Sequence, residues 1–90
     1  MNIQRKIVVR GKVQGVGFRN AICRRAMKLG IRGSVRNLDD GSVEILASAN
    51  DKDFLIFENW CRVGTSYAWV DRLEISELDQ TGFTDFSIDD

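Results

Sequence analysis

The 90-residue sequence has no histidine, no proline, two cysteines and no acidic residue before Asp39. Without histidine, the usual general base near neutral pH and the commonest zinc ligand are both missing. Two cysteines 38 positions apart, Cys23 and Cys61, are too few for a disulfide scaffold or a cysteine metal site. They read as small apolar residues of two helices, and the sequence leaves open whether they ever meet. No stretch approaches the roughly 18 consecutive apolar residues of a membrane helix, and the N-terminus lacks the apolar block of a signal peptide. The expectation is a soluble, cytoplasmic protein with no membrane partner. With proline absent, glycine at eight positions must punctuate the chain.

What is present fits one compact domain over residues 1–90 with a modest core, at 43% hydrophobic and 29% charged residues. Net charge is zero but lopsided. Residues 1–38 hold ten of the thirteen Lys and Arg, whereas residues 39–90 hold all thirteen Asp and Glu. A positive field over the first half would draw an anionic partner, a small phosphate or a nucleic acid. Two solvated halves that pair with each other on folding would explain the asymmetry equally well.

The hydrophobic pattern gives the elements. Ile7 to Val13 reads as a strand with Ile7, Val9, Gly11 and Val13 on one face. Arg19 to Leu29 reads as a helix with Ile22, Ala26 and Leu29 inward and Gly30 just past its end. A second strand, Ile31 to Leu38, and a third, Ser42 to Ala49, flank an Asp39-Asp40-Gly41 turn. Asn50 or Asp51 caps a helix from Asp51 to Val63, with Phe54, Phe57, Trp60 and Cys61 toward the sheet. The fourth strand, Ala68 to about Leu78, changes parity between Val70 and Leu73, which predicts a bulge near Asp71 and Arg72. Asp85 to Ile88 could add a short edge strand. The order βαββαβ predicts an α+β, ferredoxin-like sandwich, with two helices on one face of an antiparallel sheet and the other face bare.

The segment VQGVGFRN, Val13 to Asn20, carries the chemistry. A strand that ends in a glycine turn and opens a helix leaves main-chain N–H groups unpaired at the positive end of the helix dipole, a setting suited to phosphate or carboxylate. Gly15 and Gly17 allow consecutive amides of Gly15, Val16, Gly17 and Phe18 to converge. Arg19 adds a fixed charge whose planar fork can grip two phosphate oxygens. An ordinary tight turn with a solvent-facing arginine has the same composition. The stretch lacks the third glycine of a dinucleotide fingerprint and the Lys-Ser or Lys-Thr of a nucleotide loop.

The run from Gly11 through Gln14-Gly15-Val16-Gly17-Phe18-Arg19, then Ala26, Leu29-Gly30, Gly33, Val35-Arg36-Asn37 and Asp40-Gly41-Ser42-Val43-Glu44, closely resembles the acylphosphatase family over nearly the whole chain. The resemblance implies a metal-free and cofactor-free enzyme that hydrolyses a small acyl phosphate to carboxylate and inorganic phosphate. It implies main-chain phosphate binding by residues 15–19, a phosphate grip by Arg19 and a water oriented by Asn37. Read without the resemblance, Asn37 is an ordinary turn residue. Asp39 and Asp40 read as hairpin residues rather than a catalytic carboxylate pair.

The sequence departs from the family pattern at Asn20 and Ser34, where aromatics are common. It departs again across Ala47-Ser48-Ala49, where a glycine is usual, and at Thr65-Ser66, where a proline often follows Gly64. These positions bear on the pocket rim, the bare face and packing, not on the cradle. Three other readings keep the fold. An RNA-binding sheet would need aromatics at outward positions such as Val8, Arg10, Lys12, Glu44, Leu46 and Ser48, and none is there, so nucleic acid is not expected as a partner. Acylphosphatase-like domains also begin larger hydrogenase-maturation carbamoyltransferases that act on carbamoyl phosphate. A chain that starts at Met1 and stops after a fifth strand favours a free-standing enzyme, and a monomer is expected. A silent anion-binding module would keep the cradle and dispense with Asn37.

Overall fold

The computed structural model describes residues 2–89. The elements are β1 (Ile3–Lys12), α1 (Phe18–Leu29), β2 (Arg32–Asn37), β3 (Val43–Ala49), α2 (Asp51–Val63), β4 (Trp69–Glu77) and β5 (Phe86–Ile88). One sheet holds all five strands in the order β4-β1-β3-β2-β5. β1 begins four residues before the expected Ile7. The run Ile3 to Lys6 has no strong apolar alternation, but as a central strand β1 pairs with β3 from Ile3 and with β4 from Arg5.

Two features of the sheet correct or sharpen the expectation. β5 runs parallel to β2, pairing Gly33 with Phe86 and Val35 with Ile88, so the sheet is mixed rather than wholly antiparallel. The physical cause is connectivity: after β4 the chain crosses to the far edge and arrives alongside β2 in the same direction. The bulge falls where the parity change put it. Arg10 pairs with Arg72 and Gly11 with Val70, leaving Asp71 as the extra residue. Leu73 and Val70 thereby stay on the core side with Val9 and Gly11. Ile75 shares that face opposite Ile7 but is 40% exposed, because β4 is an edge strand.

The core lies between the sheet and both helices. Ile7, Val9, Ile22, Val35, Ile45, Phe54, Phe57 and Cys61 are fully buried. Burying a side chain of this size contributes about 1.5–3 kcal/mol before entropy. Trp60 is only partly buried and stacks on Phe18, ring centroids 6.1 Å apart, joining the two helices. Cys23 and Cys61 are both free thiols. Burial pushes the Cys61 thiol far up, which makes it a packing group and not a nucleophile.

The helix-free face carries a network of ion pairs around Val8 and Leu46. Arg36 Nε lies 2.9 Å from Glu44 Oε1, and Lys6 Nζ lies 3.7 Å from Glu44 Oε2. Arg10 reaches both Glu74 and Asp40 at 3.0 Å. Those two carboxylates push the Arg10 guanidinium further up, and Arg10 and Arg72 hold Glu74 below its ordinary range. The exposed Trp69 stands on this side opposite Lys12, on edge strand β4 and not on the two central strands. No helix among the described residues is long and apolar enough to cross a membrane.

Candidate active site

The turn between β1 and α1 holds its backbone open because of two glycines. Gly15 has φ 75° and Gly17 φ 74°, a left-handed conformation that costs a residue with a Cβ roughly 1–2 kcal/mol. An added Cβ would meet nothing within 4 Å at either position, so the requirement is conformational and not spatial. Gly17 also serves as the N-cap of α1, which therefore starts at Phe18, one residue earlier than expected, with no side-chain cap and no acidic residue in its first turn. The contrast with α2 is instructive. There the Asn50 side chain accepts from Asp53 N–H at 2.8 Å, and Asp51 and Asp53 sit in the first turn.

At α1 no described side chain takes that role. Among the described residues, the main-chain N–H groups of Gly15, Val16, Gly17, Phe18 and Asn20 make no hydrogen bond, while Ala21 N–H donates to Gly17 C=O at 3.1 Å. A positive helix end with several free donors is a site for an anion. A cavity of about 200 Å³ lies over it, lined by Val13, Gly15, Gly17, Phe18, Arg19, Asn20 and Ile88. The Phe18 ring is buried, as are Val13 and Ile22 beneath it, so Phe18 offers the cavity its main chain while its side chain anchors the first helical turn. Val16 packs partly against the core and does not line the cavity.

Asn37 ends β2 in register with Val43 of β3 and does not line that cavity. Its Oδ1 is buried and has no hydrogen-bond partner. A buried polar atom left unpaired is uncommon enough to need a reason. The two acidic turn residues separate. Asp40 Oδ1 accepts from Ser42 N–H at 2.9 Å and from Ser42 Oγ at 2.5 Å, and Oδ2 accepts from Arg10 at 3.0 Å. These donors, Ser42 first and Arg10 after it, lower the Asp40 carboxyl to about 2. Asp39 is exposed, so the pair is the hairpin device that the sequence suggested. Among the described residues no three His, Cys, Asp or Glu side chains are grouped to hold a metal ion.

One residue that sequence reasoning passed over joins the two parts. Gln14 Nε2 donates to Leu38 C=O at 2.7 Å and to Ser42 C=O at 2.9 Å. It ties the start of the glycine turn to the neck of the β2–β3 hairpin, immediately after Asn37. No local pattern could have shown this, since both partners lie more than twenty residues along the chain.

The fold and this turn together define a ferredoxin-like α+β sandwich with open main-chain donors at the start of its first helix. The acylphosphatase family profile matches residues 5–88. The chain is 46% identical over 83 residues to an acylphosphatase of Synechococcus sp. (strain WH7803), across 92% of this chain and 83% of that one. The crystal structure of acylphosphatase from Bacillus subtilis superposes with a TM-score of 0.90 at 37% identity, covering 98% of both chains. Full-length HypF in a phosphate- and nucleotide-bound form superposes with a TM-score of 0.88 at 26% identity, over all of this chain and 12% of that one. The chain belongs to the acylphosphatase family, whose reaction is the hydrolysis of acyl phosphates.

Proposed function

We propose that this chain hydrolyses carboxyl–phosphate anhydrides at the turn of residues 15–19, using Arg19 and Asn37 and neither metal nor cofactor. The amides of Gly15, Val16, Gly17 and Phe18 and the guanidinium of Arg19 receive the phosphoryl oxygens and stabilise charge as it develops there. The Asn37 amide holds a water in line with the bond to the acyl oxygen. The water oxygen bonds to phosphorus, the bond from phosphorus to the acyl oxygen breaks, and the carboxylate leaves with that electron pair. The water's proton passes to a phosphoryl oxygen, so no side-chain base is needed and the lack of histidine is accommodated. A mixed anhydride is already activated, and positioning with charge neutralisation supplies most of what is required.

The observation that carries this reading is the set of unpaired main-chain donors beside Arg19 at the start of α1. A catalytically silent anion module would not need Asn37, whose buried and unpaired Oδ1 favours the enzyme. The single sheet and single core support one domain over residues 1–90. The likeness to HypF favours a second reading, in which the same cradle handles carbamoyl phosphate as part of a larger protein.

The test is hydrolysis of benzoyl phosphate in the presence of EDTA, beside carbamoyl phosphate. Wild-type turnover should be unaffected by the chelator. Arg19→Ala should lose both turnover and competitive inhibition by inorganic phosphate while its circular dichroism is unchanged. Parental rates in Arg19→Ala would overturn the assignment, and exclusive turnover of carbamoyl phosphate would favour the second reading.

A further inference from the structure

We infer that Gln14 is a positioning residue for the reaction: it sets where Asn37 stands relative to the phosphate cradle. This rests on the site proposed above and adds a residue that contacts neither phosphate nor water in that scheme. A primary amide has two N–H donors, and those of Gln14 lie within bonding distance of two acceptors on the two strands of one hairpin neck, Leu38 C=O at 2.7 Å and Ser42 C=O at 2.9 Å. Leu38 and Ser42 are themselves joined, Leu38 N–H to Ser42 C=O at 2.9 Å, and Gly41 N–H donates to Leu38 C=O at 3.2 Å. The side chain of Gln14 therefore grips a closed turn and not a loose strand end. The Ser42 anchor is buried.

The placement matters because cradle and water holder come from different parts of the chain. The cradle begins one residue after Gln14, and Asn37 lies one residue before Leu38. Asn37 makes no side-chain hydrogen bond of its own among the described residues, so packing and the position of its backbone decide where its amide points. The Gln14 clamp fixes that backbone against the cradle. A displacement on the order of 1 Å between a bound phosphoryl group and its nucleophile can cost on the order of 10²-fold in rate. Losing the clamp should therefore move the water and not the phosphate.

The experiment is a double-mutant cycle on benzoyl phosphate hydrolysis, with inhibition by inorganic phosphate as the separate readout of the cradle. Gln14→Ala should lower kcat about 10-fold or more, change the inhibition constant for phosphate less than about 2-fold, and cause no further loss in an Asn37→Ala background. Gln14→Met keeps the length and bulk without the donors and should behave as Gln14→Ala does, which covers the case in which the alanine variant does not fold. Gln14→Lys restores a donor at similar reach and should recover part of kcat. A loss that multiplies with that of Asn37→Ala, a rise in the phosphate inhibition constant matching the fall in kcat, or a folded Gln14→Met with parental kcat would each overturn the inference. Parental kcat in Asn37→Ala alone would instead sink the role proposed for Asn37, whatever Gln14 does.

Discussion

Asn37 carries a cost that its surroundings do not offset. Its Oδ1 is buried and unpaired, and leaving such an acceptor without a donor costs roughly 1–3 kcal/mol. If the oxygen is kept for a water that attacks phosphorus, activity and stability oppose each other at this position. Asn37→Leu should lower kcat about 10²-fold or more while holding or raising unfolding stability by up to about 1 kcal/mol. Urea unfolding beside steady-state kinetics checks both halves, and a destabilised variant with parental kcat would show that the side chain serves packing. At this scale the sequence was legible only where the chemistry is local. Gly15, Gly17 and Arg19 could be picked out because a strand, a glycine turn and a helix start lie within ten residues. Gln14 could not, because its two acceptors lie 24 and 28 positions further on. Asn37 stood out through family resemblance, since an asparagine before Leu-Asp-Asp-Gly is otherwise an ordinary turn residue.

The hairpin of β2 and β3 is the element that holds Asn37, and its turn has a titratable lock. Asp40 bonds Ser42 twice and Arg10 once, and its carboxyl is lowered from an ordinary 3.8 to about 2. A folded-state value below the unfolded one gives stability that is fully present above the ordinary value and lost as pH falls toward about 2. Asp40→Asn removes the charge and so should lose less stability than wild type between pH about 5 and 2. Some decline should remain, because Glu74 is also held below its ordinary range by Arg10 and Arg72. Unfolding free energies at stepped pH decide the matter, and parallel declines would show that the turn does not contribute. Elements like this hairpin were legible because their apolar spacing and turn residues agree. The early start of β1 and the parallel docking of β5 were not, because both depend on which strands pair, and pairing leaves little local trace in Ile3 to Lys6 or Phe86 to Ile88.

Over the whole molecule the charge asymmetry resolves into two populations. Four cations of β1 and β2 meet acids from later in the chain: Arg5 with Glu58, Lys6 and Arg36 with Glu44, and Arg10 with Asp40 and Glu74. Three cations further along α1 behave differently. None of Arg24, Arg25 and Lys28 pairs with a carboxylate among the described residues, although Arg25 lies 5.4 Å from the centroid of the Trp60 ring. The pairing that composition allowed is thus met at these strand positions and not at these three helix positions. The unpaired cations share a helix with the cradle, about 8 to 14 Å along the axis from Arg19 at 1.5 Å per residue. The nearer of them fall within the ~10 Å Debye length of 0.1 M salt, so a doubly negative substrate should feel them at low ionic strength and much less in strong salt. A variant with Arg24→Gln, Arg25→Gln and Lys28→Gln should raise KM for benzoyl phosphate a few-fold at low salt, leave kcat unchanged, and converge on wild type near 1 M salt. KM against ionic strength for the two proteins checks this. Identical salt slopes would mean that the cradle and Arg19 alone supply the attraction, and that the basic face of α1 contributes nothing to substrate capture.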